Sequence, residues 1–367
     1  MLSKCQFPGH YIQGYNAMDV LAEQVLKYGS KSYLICDPFV YENLLGRFEG
    51  KLKEKLTIDK EQFGKECSDE EVQRLAGKAK TFSSEVIIGI GGGKTLDAAK
   101  AVAHELTLPV AIVPTIASTD APCSALSVIY TPEGHVKRYL VLPKNPDIVL
   151  VDTKIISEAP AEFLAAGMGD ALATWFEAQS CRQSGAANMS GMKGPLSAYT
   201  LAELCYDILL EHGYEALCAC RAGAVTPAFE HIVEANTLLS GLGFESGGLA
   251  SAHSIHNGLT VLEQAHDKYH GQKVAFGVLA SLIMTDKPAA VIEEVYAFCE
   301  SLELPTTFAD MGLEGVERQQ LMQVAQRACA EGETIYNEPM SIDEQRVLDA
   351  LIAADALGMA RKKRLTC

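Results

Sequence analysis

The stretch Glu85–Asp97, EVIIGIGGGKTLD, restricts the fold more than any other part of this chain. A short β-branched run bounded by glycines reads as a strand buried on both faces. The residues after it, from Thr95 to about Leu106, read as a helix. A doubly buried strand running straight into a helix is the repeating unit of a parallel α/β sheet. Ser32–Cys36, Val110–Val113 and Ile148–Val151 are further runs of the same kind, and Ser68-x-x-Glu71 is a capping box opening a helix through about Ala79.

The texture changes after Pro160. Alanine- and leucine-rich helical segments follow: Ala161–Ser180, Ser197–His212, Pro227–Gly241, Gly248–Asn257, Val274–Met284, Ala289–Leu302, Val316–Cys329 and Ile342–Arg361. The expected architecture is an α/β nucleotide-binding domain over residues 1–160, with a parallel Rossmann-like sheet, and an all-α domain over residues 161–367. A ligand site is expected in the cleft between the two.

The glycine turn Gly89–Asp97 suits a pyrophosphate. Glycines admit close approach, and a helix N-terminus offers free N–H groups. Two standard motifs fail on it. A P-loop needs glycine where Ile88 stands, and the Rossmann G-x-G-x-x-G needs one where Lys94 stands. A tight strand–helix turn without a ligand is the competing reading. Asp37 ends the first clear strand, where a carboxylate could accept from an adenosine ribose and repel a 2′-phosphate. As part of an Asp-Pro pair it suits a plain turn equally well. The loop Pro114–Ala125 places Thr115, Ser118, Asp120 and Ser124 after the third strand, suited to a polyol or a nicotinamide ribose, or simply to solvent.

Four of the nine histidines lie between Gly247 and Gly271: His253, His256, His266 and His270. His253 and His256 share a face if helical, as do His266 and His270. Asp170 sits among small and apolar residues of a helix, where an aspartate is rare unless paired or metal-bound. Asp170 with two of the histidines would make a three-ligand site with an open position, as in catalytic divalent-metal centres. Spacing leaves open which two.

A formal charge of −16 argues against nucleic-acid and anionic-membrane partners. No window approaches the roughly 18 apolar residues of a spanning helix. The N-terminal residues show no signal peptide, and the eleven cysteines form no C-x-x-C pair. Free thiols in a reducing, cytoplasmic setting are therefore expected.

The blocks GIGGGKTLDAAKA, PTIASTDAPCSALSVIYT, GMGDALATWFEA, NTLLSGLGFESGGLASAHSIHNGLT and YHGQKVAFG occur in this order across nearly the whole chain. Together they resemble the glycerol dehydrogenase branch of the iron-activated, metal-dependent alcohol dehydrogenases, a superfamily that includes dehydroquinate synthase. The resemblance implies NAD as cofactor, a homo-oligomer (often an octamer), and reversible oxidation of glycerol to dihydroxyacetone. It implies Asp170, His253 and His270 as metal ligands that also hold the substrate. His256 would be a proton-relaying catalytic residue, and Asp120 a substrate and catalytic contact. Cofactor contacts would be Asp37, Gly92, Gly93, Lys94, Thr95, Asp97, Thr115, Ser118, Ser124, Leu126 and Tyr130. Larger iron-type relatives carry a further histidine where Thr174 stands, so Zn(2+) is expected over iron.

Three other functions use parts of the same pattern. A dehydroquinate-synthase-like lyase needs several cations for a phosphorylated acid, and residues 161–271 offer only Arg182, Lys193, Arg221 and Lys268. A silent NAD-binding regulator predicts degraded metal ligands. A dehydrogenase for another vicinal diol or amino alcohol predicts the same motifs.

Overall fold

A computed structural model of the chain describes residues 2–365. These form two compact units, each built from separated stretches of chain. One comprises Gln6–Ala161 and Cys220–Gly241; the other comprises the residues up to Cys5, Glu162–Ala219 and the chain from Leu242 onward.

The first unit holds a six-stranded sheet, every pairing parallel. Its strands are β1 (His10–Gly14), β2 (Lys31–Cys36), β3 (Thr57–Gln62), β4 (Val86–Gly91), β5 (Val110–Pro114) and β8 (Ile148–Asp152), in the order β1-β8-β5-β4-β2-β3. A separate antiparallel hairpin pairs β6 (Leu126–Tyr130) with β7 (Val136–Val141). The four apolar runs of the sequence are the four central strands. β1 and β3 lie at the two edges, where partial exposure permits polar residues such as Gln13, Asp59 and Lys60. That polarity hides edge strands from a search for apolar runs.

Side chains alternate across each strand. Leu34, Cys36, Ile88, Ile90, Ala111, Val113, Ile148 and Leu150 share one buried cluster with Leu21, Val25, Leu45 and Leu52. The capping box forms as expected: Ser68 accepts from the Glu71 N–H at the start of the helix Asp69–Phe82. The helix after the glycine turn, Gly93–Leu106, starts two residues before the expected Thr95. It lies close on β4, because a Cβ on Gly89 would sit 2.5 Å from that of Ala99.

β2 touches β3 on one side and β4 on the other, and the chain then proceeds outward through β5 and β8. The order therefore reverses between β2 and β4. Such a switch point opens a crevice at the carboxyl ends of the two strands, here at Asp37 and the glycine turn.

The second unit is helical. Its main helices are Ala161–Ser184, Leu196–Arg221, Ser251–Leu259, His270–Met284, Ala289–Ser301, Arg318–Ala328 and Glu344–Leu365. A single cut at residue 160 misplaces two segments. The helix Pro227–Glu234 and its π-helical continuation Ala235–Leu239 belong with the sheet. Polar bonds pin them there: Gln13 donates to the Glu230 carbonyl, Thr153 to the Glu230 carboxylate, and the Tyr11 and Thr237 hydroxyls meet at 2.8 Å. The N-terminal residues instead join the helical unit through the Lys4 N–H on the Lys193 carbonyl. No helix among the described residues is long and apolar enough to cross a membrane.

Candidate metal centre and cofactor turn

Asp170 lies mid-way along Ala161–Ser184, fully buried. His253 is the third residue of Ser251–Leu259, and His270 is the first of His270–Met284. Their side chains converge. His270 Nε2 is 3.0 Å and His253 Nε2 3.5 Å from Asp170 Oδ1, and the three candidate ligand atoms lie within 4.8 Å of one another.

Two glycines make this approach possible. A Cβ on Gly271 would fall 1.8 Å from the Ala166 carbonyl oxygen, and one on Gly169 would fall 2.5 Å from that of Gly271. The two helices thus cross backbone to backbone beside Asp170 and His270. The sequence signal is a glycine adjoining each of those residues.

Burial alone would raise the Asp170 pKa, but the neighbouring His270 and His253 outweigh it and hold the carboxyl well below its usual range. Burial likewise disfavours charge on His253, yet Glu177 and Asp170 outweigh it and raise that pKa well above the ordinary value. One carboxylate and two imidazoles gathered in this way suit a divalent cation of the zinc type. Thr174, one turn after Asp170, is buried against Gly243.

The other two histidines differ. His256 Nε2 lies 2.9 Å from His270 Nδ1, and its Nδ1 faces Asn257 Oδ1 at 3.1 Å. Asn257 Nδ2 then donates to Glu333 at 3.0 Å. Burial, followed by the charges of His270, His253 and Lys273, pushes the His256 pKa well below its ordinary value. His266 is outside the group and bonds the Thr260 carbonyl through Nε2 at 2.9 Å. Sequence reasoning passed over Glu177, which lies 2.6 Å from His253 Nδ1. Its signal was spacing: seven residues beyond Asp170, two helical turns, on the same face.

In the sheet unit, Asp37 accepts from the Val40 N–H at 2.8 Å and the Gly92 N–H at 3.3 Å. Burial raises its pKa against the lowering effect of those bonds. Gly91 has φ +153° and a hypothetical Cβ only 2.5 Å from Asp37 Oδ2, so a side chain there meets both strain and a clash. No side chain caps the helix start at Gly92. The Pro114–Ala125 loop reaches this turn: Thr115 N–H donates to the Gly91 carbonyl at 3.1 Å, and a Cβ on Gly93 would be 3.5 Å from Thr119 Oγ1. Lys94 pairs with Glu66 at 2.5 Å and lies over the Tyr130 ring at 4.6 Å.

Deeper in the helix, Thr95 and Asp97 are buried. The Asp97 carboxylate accepts from the Val128 N–H at 3.0 Å and pairs with Lys100 at 2.9 Å, joining the helix to the hairpin. Lys100, a second residue passed over, is 1% exposed. Its ammonium donates to the Ala121 carbonyl at 3.0 Å and to that of Leu126. It thereby holds both ends of the segment carrying Ser124. Asp120 accepts from Ser240 at 3.0 Å, and Asn236 donates to the Ala117 carbonyl at 3.0 Å. The loop is therefore fixed from two directions.

Residues 8–153 match the family described as iron-containing alcohol dehydrogenase. A glycerol dehydrogenase of Thermotoga maritima is 59% identical over 99% of each chain. The chain belongs to the iron-containing alcohol dehydrogenase family.

Solved structures of the family agree. The glycerol dehydrogenase of Schizosaccharomyces pombe matches with TM-score 0.96 at 36% identity, covering 100% of this chain and 93% of that one. A probable glycerol dehydrogenase of Sinorhizobium meliloti matches with TM-score 0.93 at 42% identity, covering 98% and 100%. In this chain that fold carries both the convergent Asp–His–His group and the glycine turn at the switch point.

Proposed function

We propose that the protein is an NAD-dependent glycerol dehydrogenase that interconverts glycerol and dihydroxyacetone, with Zn(2+) held by Asp170, His253 and His270. The observation that carries this reading is that full-length relationship combined with the convergence of those three side chains within 4.8 Å. When bound, the cation supplies Lewis acidity towards the substrate hydroxyl, and NAD supplies the hydride acceptor.

The chain's own part is positioning and proton handling. The backbone at Gly92 and Gly93, at an uncapped helix start, suits the pyrophosphate. Asp37, at the carboxyl end of β2, suits the adenosine ribose and disfavours a 2′-phosphate. Thr115, Ser118, Ser124, Leu126, Lys94 and Tyr130 supply the remaining cofactor surface, while Thr95 and Asp97 support it from within the helix. Asp120 is the residue we assign to a substrate hydroxyl. His256, kept neutral by burial, accepts from His270 Nδ1–H and opens a hydrogen-bonded route through Asn257 to Glu333.

The test is steady-state NADH formation on glycerol, 1,2-propanediol, 2,3-butanediol and 1-amino-2-propanol. Glycerol should give the highest kcat/KM, activity should vanish on chelation, and zinc should restore it. Turnover preferring another diol would reassign the substrate. Full activity in an Asp170→Ala, His253→Ala double variant would remove the metal centre from the reaction.

A further inference from the structure

We infer that Glu177 is a positioning residue that sets the tautomer of His253 and, with the same carboxylate, caps the helix that carries it. This rests on the metal reading above and adds a residue to it.

The helix Ser251–Leu259 has only nine residues, and its N-cap, Ala250, has no side chain to offer. Caps come from elsewhere in the chain. Glu177 Oε1 accepts from the Ala250 N–H at 2.9 Å and the His253 N–H at 3.0 Å. Glu338 Oε1 accepts from the Ser251 N–H at 3.2 Å and from its hydroxyl at 2.5 Å. Two buried carboxylates at a helix N-terminus also match the helix dipole.

Glu177 does one thing that Glu338 does not. Its Oε2 lies 2.6 Å from His253 Nδ1. A carboxylate accepts and does not donate, so Nδ1 must carry the proton. Nε2, 3.5 Å from Asp170 Oδ1, is then the nitrogen that gives up its proton and offers a lone pair when the cation takes its place beside Asp170. With Glu177 1% exposed, water does not compete freely for this bond. One side chain thereby fixes the angle at which the helix starts and the ring nitrogen available to the metal.

The roles separate in Glu177→Gln. The glutamine oxygen can still accept from both backbone N–H groups. Its NH2 then faces Nδ1, favours an acceptor there and drives the imidazole proton to Nε2. Flipping the amide would sacrifice two backbone bonds to keep one. Zinc affinity, read by competition with a chromophoric chelator, should fall by about 10–100-fold, while the metal-free melting temperature changes little. Ser251→Ala should do the opposite, lowering metal-free stability and leaving zinc affinity unchanged.

Wild-type zinc affinity in Glu177→Gln would overturn the inference. So would a Ser251→Ala variant that loses zinc as strongly as Glu177→Gln. If the wild-type protein itself binds no zinc, the metal reading fails instead. If Glu177→Gln does not fold, a crystal structure of the zinc-loaded wild type decides: His253 should ligate through Nε2 with Nδ1 on Glu177, and ligation through Nδ1 would refute the proposal.

Discussion

At the scale of single residues, the four histidines are set apart by which ring nitrogen each has left to offer. His270 presents Nε2 to Asp170 and turns Nδ1 to His256, whereas His266 directs Nε2 to the Thr260 carbonyl. His270→Ala should therefore weaken zinc binding by about 100-fold or more, beyond the loss typical of an outer partner. His266→Ala should leave binding intact. Chelator competition on both variants checks this, and equal behaviour would refute the ligand assignment. Asp37 supports a second prediction. Its carboxylate lies at the strand-order reversal, bonded to two backbone N–H groups. Asp37→Asn removes the charge and keeps the size. The NAD over NADP preference in kcat/KM should drop by about tenfold, roughly one partly screened charge contact. An unchanged ratio would remove Asp37 from cofactor selection.

At the scale of elements, close backbone approach is the controlling feature. The Asp170 and His270 helices meet where a Cβ on Gly271 would be 1.8 Å from a carbonyl oxygen. Gly271→Ala must push them apart. It should destabilise the protein by about 2 kcal/mol or more, the upper part of the range for overpacking, and weaken zinc binding with it. Urea unfolding with and without zinc measures both effects. Lys100 plays the corresponding part in the sheet unit, where its buried ammonium meets Asp97 and loop carbonyls. Lys100→Met leaves a buried carboxylate and those carbonyls without their cation. The expected loss is about 3–5 kcal/mol, as when one partner of a buried pair is removed. A loss below 1 kcal/mol, on the order of a surface pair, would show that the loop is held by other contacts.

At the scale of the whole molecule, the groups proposed for the cation and for the cofactor fall in different units: the Asp–His–His group in one, the glycine turn in the other. A ligand that binds only the folded state at 100 times its Kd adds about 2.7 kcal/mol of stability. Zinc should slow amide hydrogen exchange chiefly in Ala161–Ser184, Ser251–Leu259 and His270–Met284. NAD should do so chiefly around Asp37 and Gly91–Asp97. Protection by zinc centred on the sheet unit would contradict the division of roles.

The sequence by itself carried the α/β-then-helical order, because strands buried on both faces leave short β-branched runs and the helices that follow are rich in alanine and leucine. It also marked the glycine turn, whose Gly91 answers to a local backbone conformation and to one neighbouring carboxylate. The edge strands β1 and β3 were not legible, since half-exposed strands need no apolar run. Nor was the hairpin, whose second strand is mostly exposed. Residue spacing paired His253 with His256 and His266 with His270; the family resemblance put Asp170, His253 and His270 together. What only the tertiary structure decided were the partners that act across the chain: Glu177 on His253, Lys100 under the loop, Asn236 and Ser240 against Ala117 and Asp120. A local pattern records what a residue needs from its own helix or strand. A buried polar side chain answers to whichever group the fold brings to it, and that group is tens to more than a hundred residues away in most of these pairs.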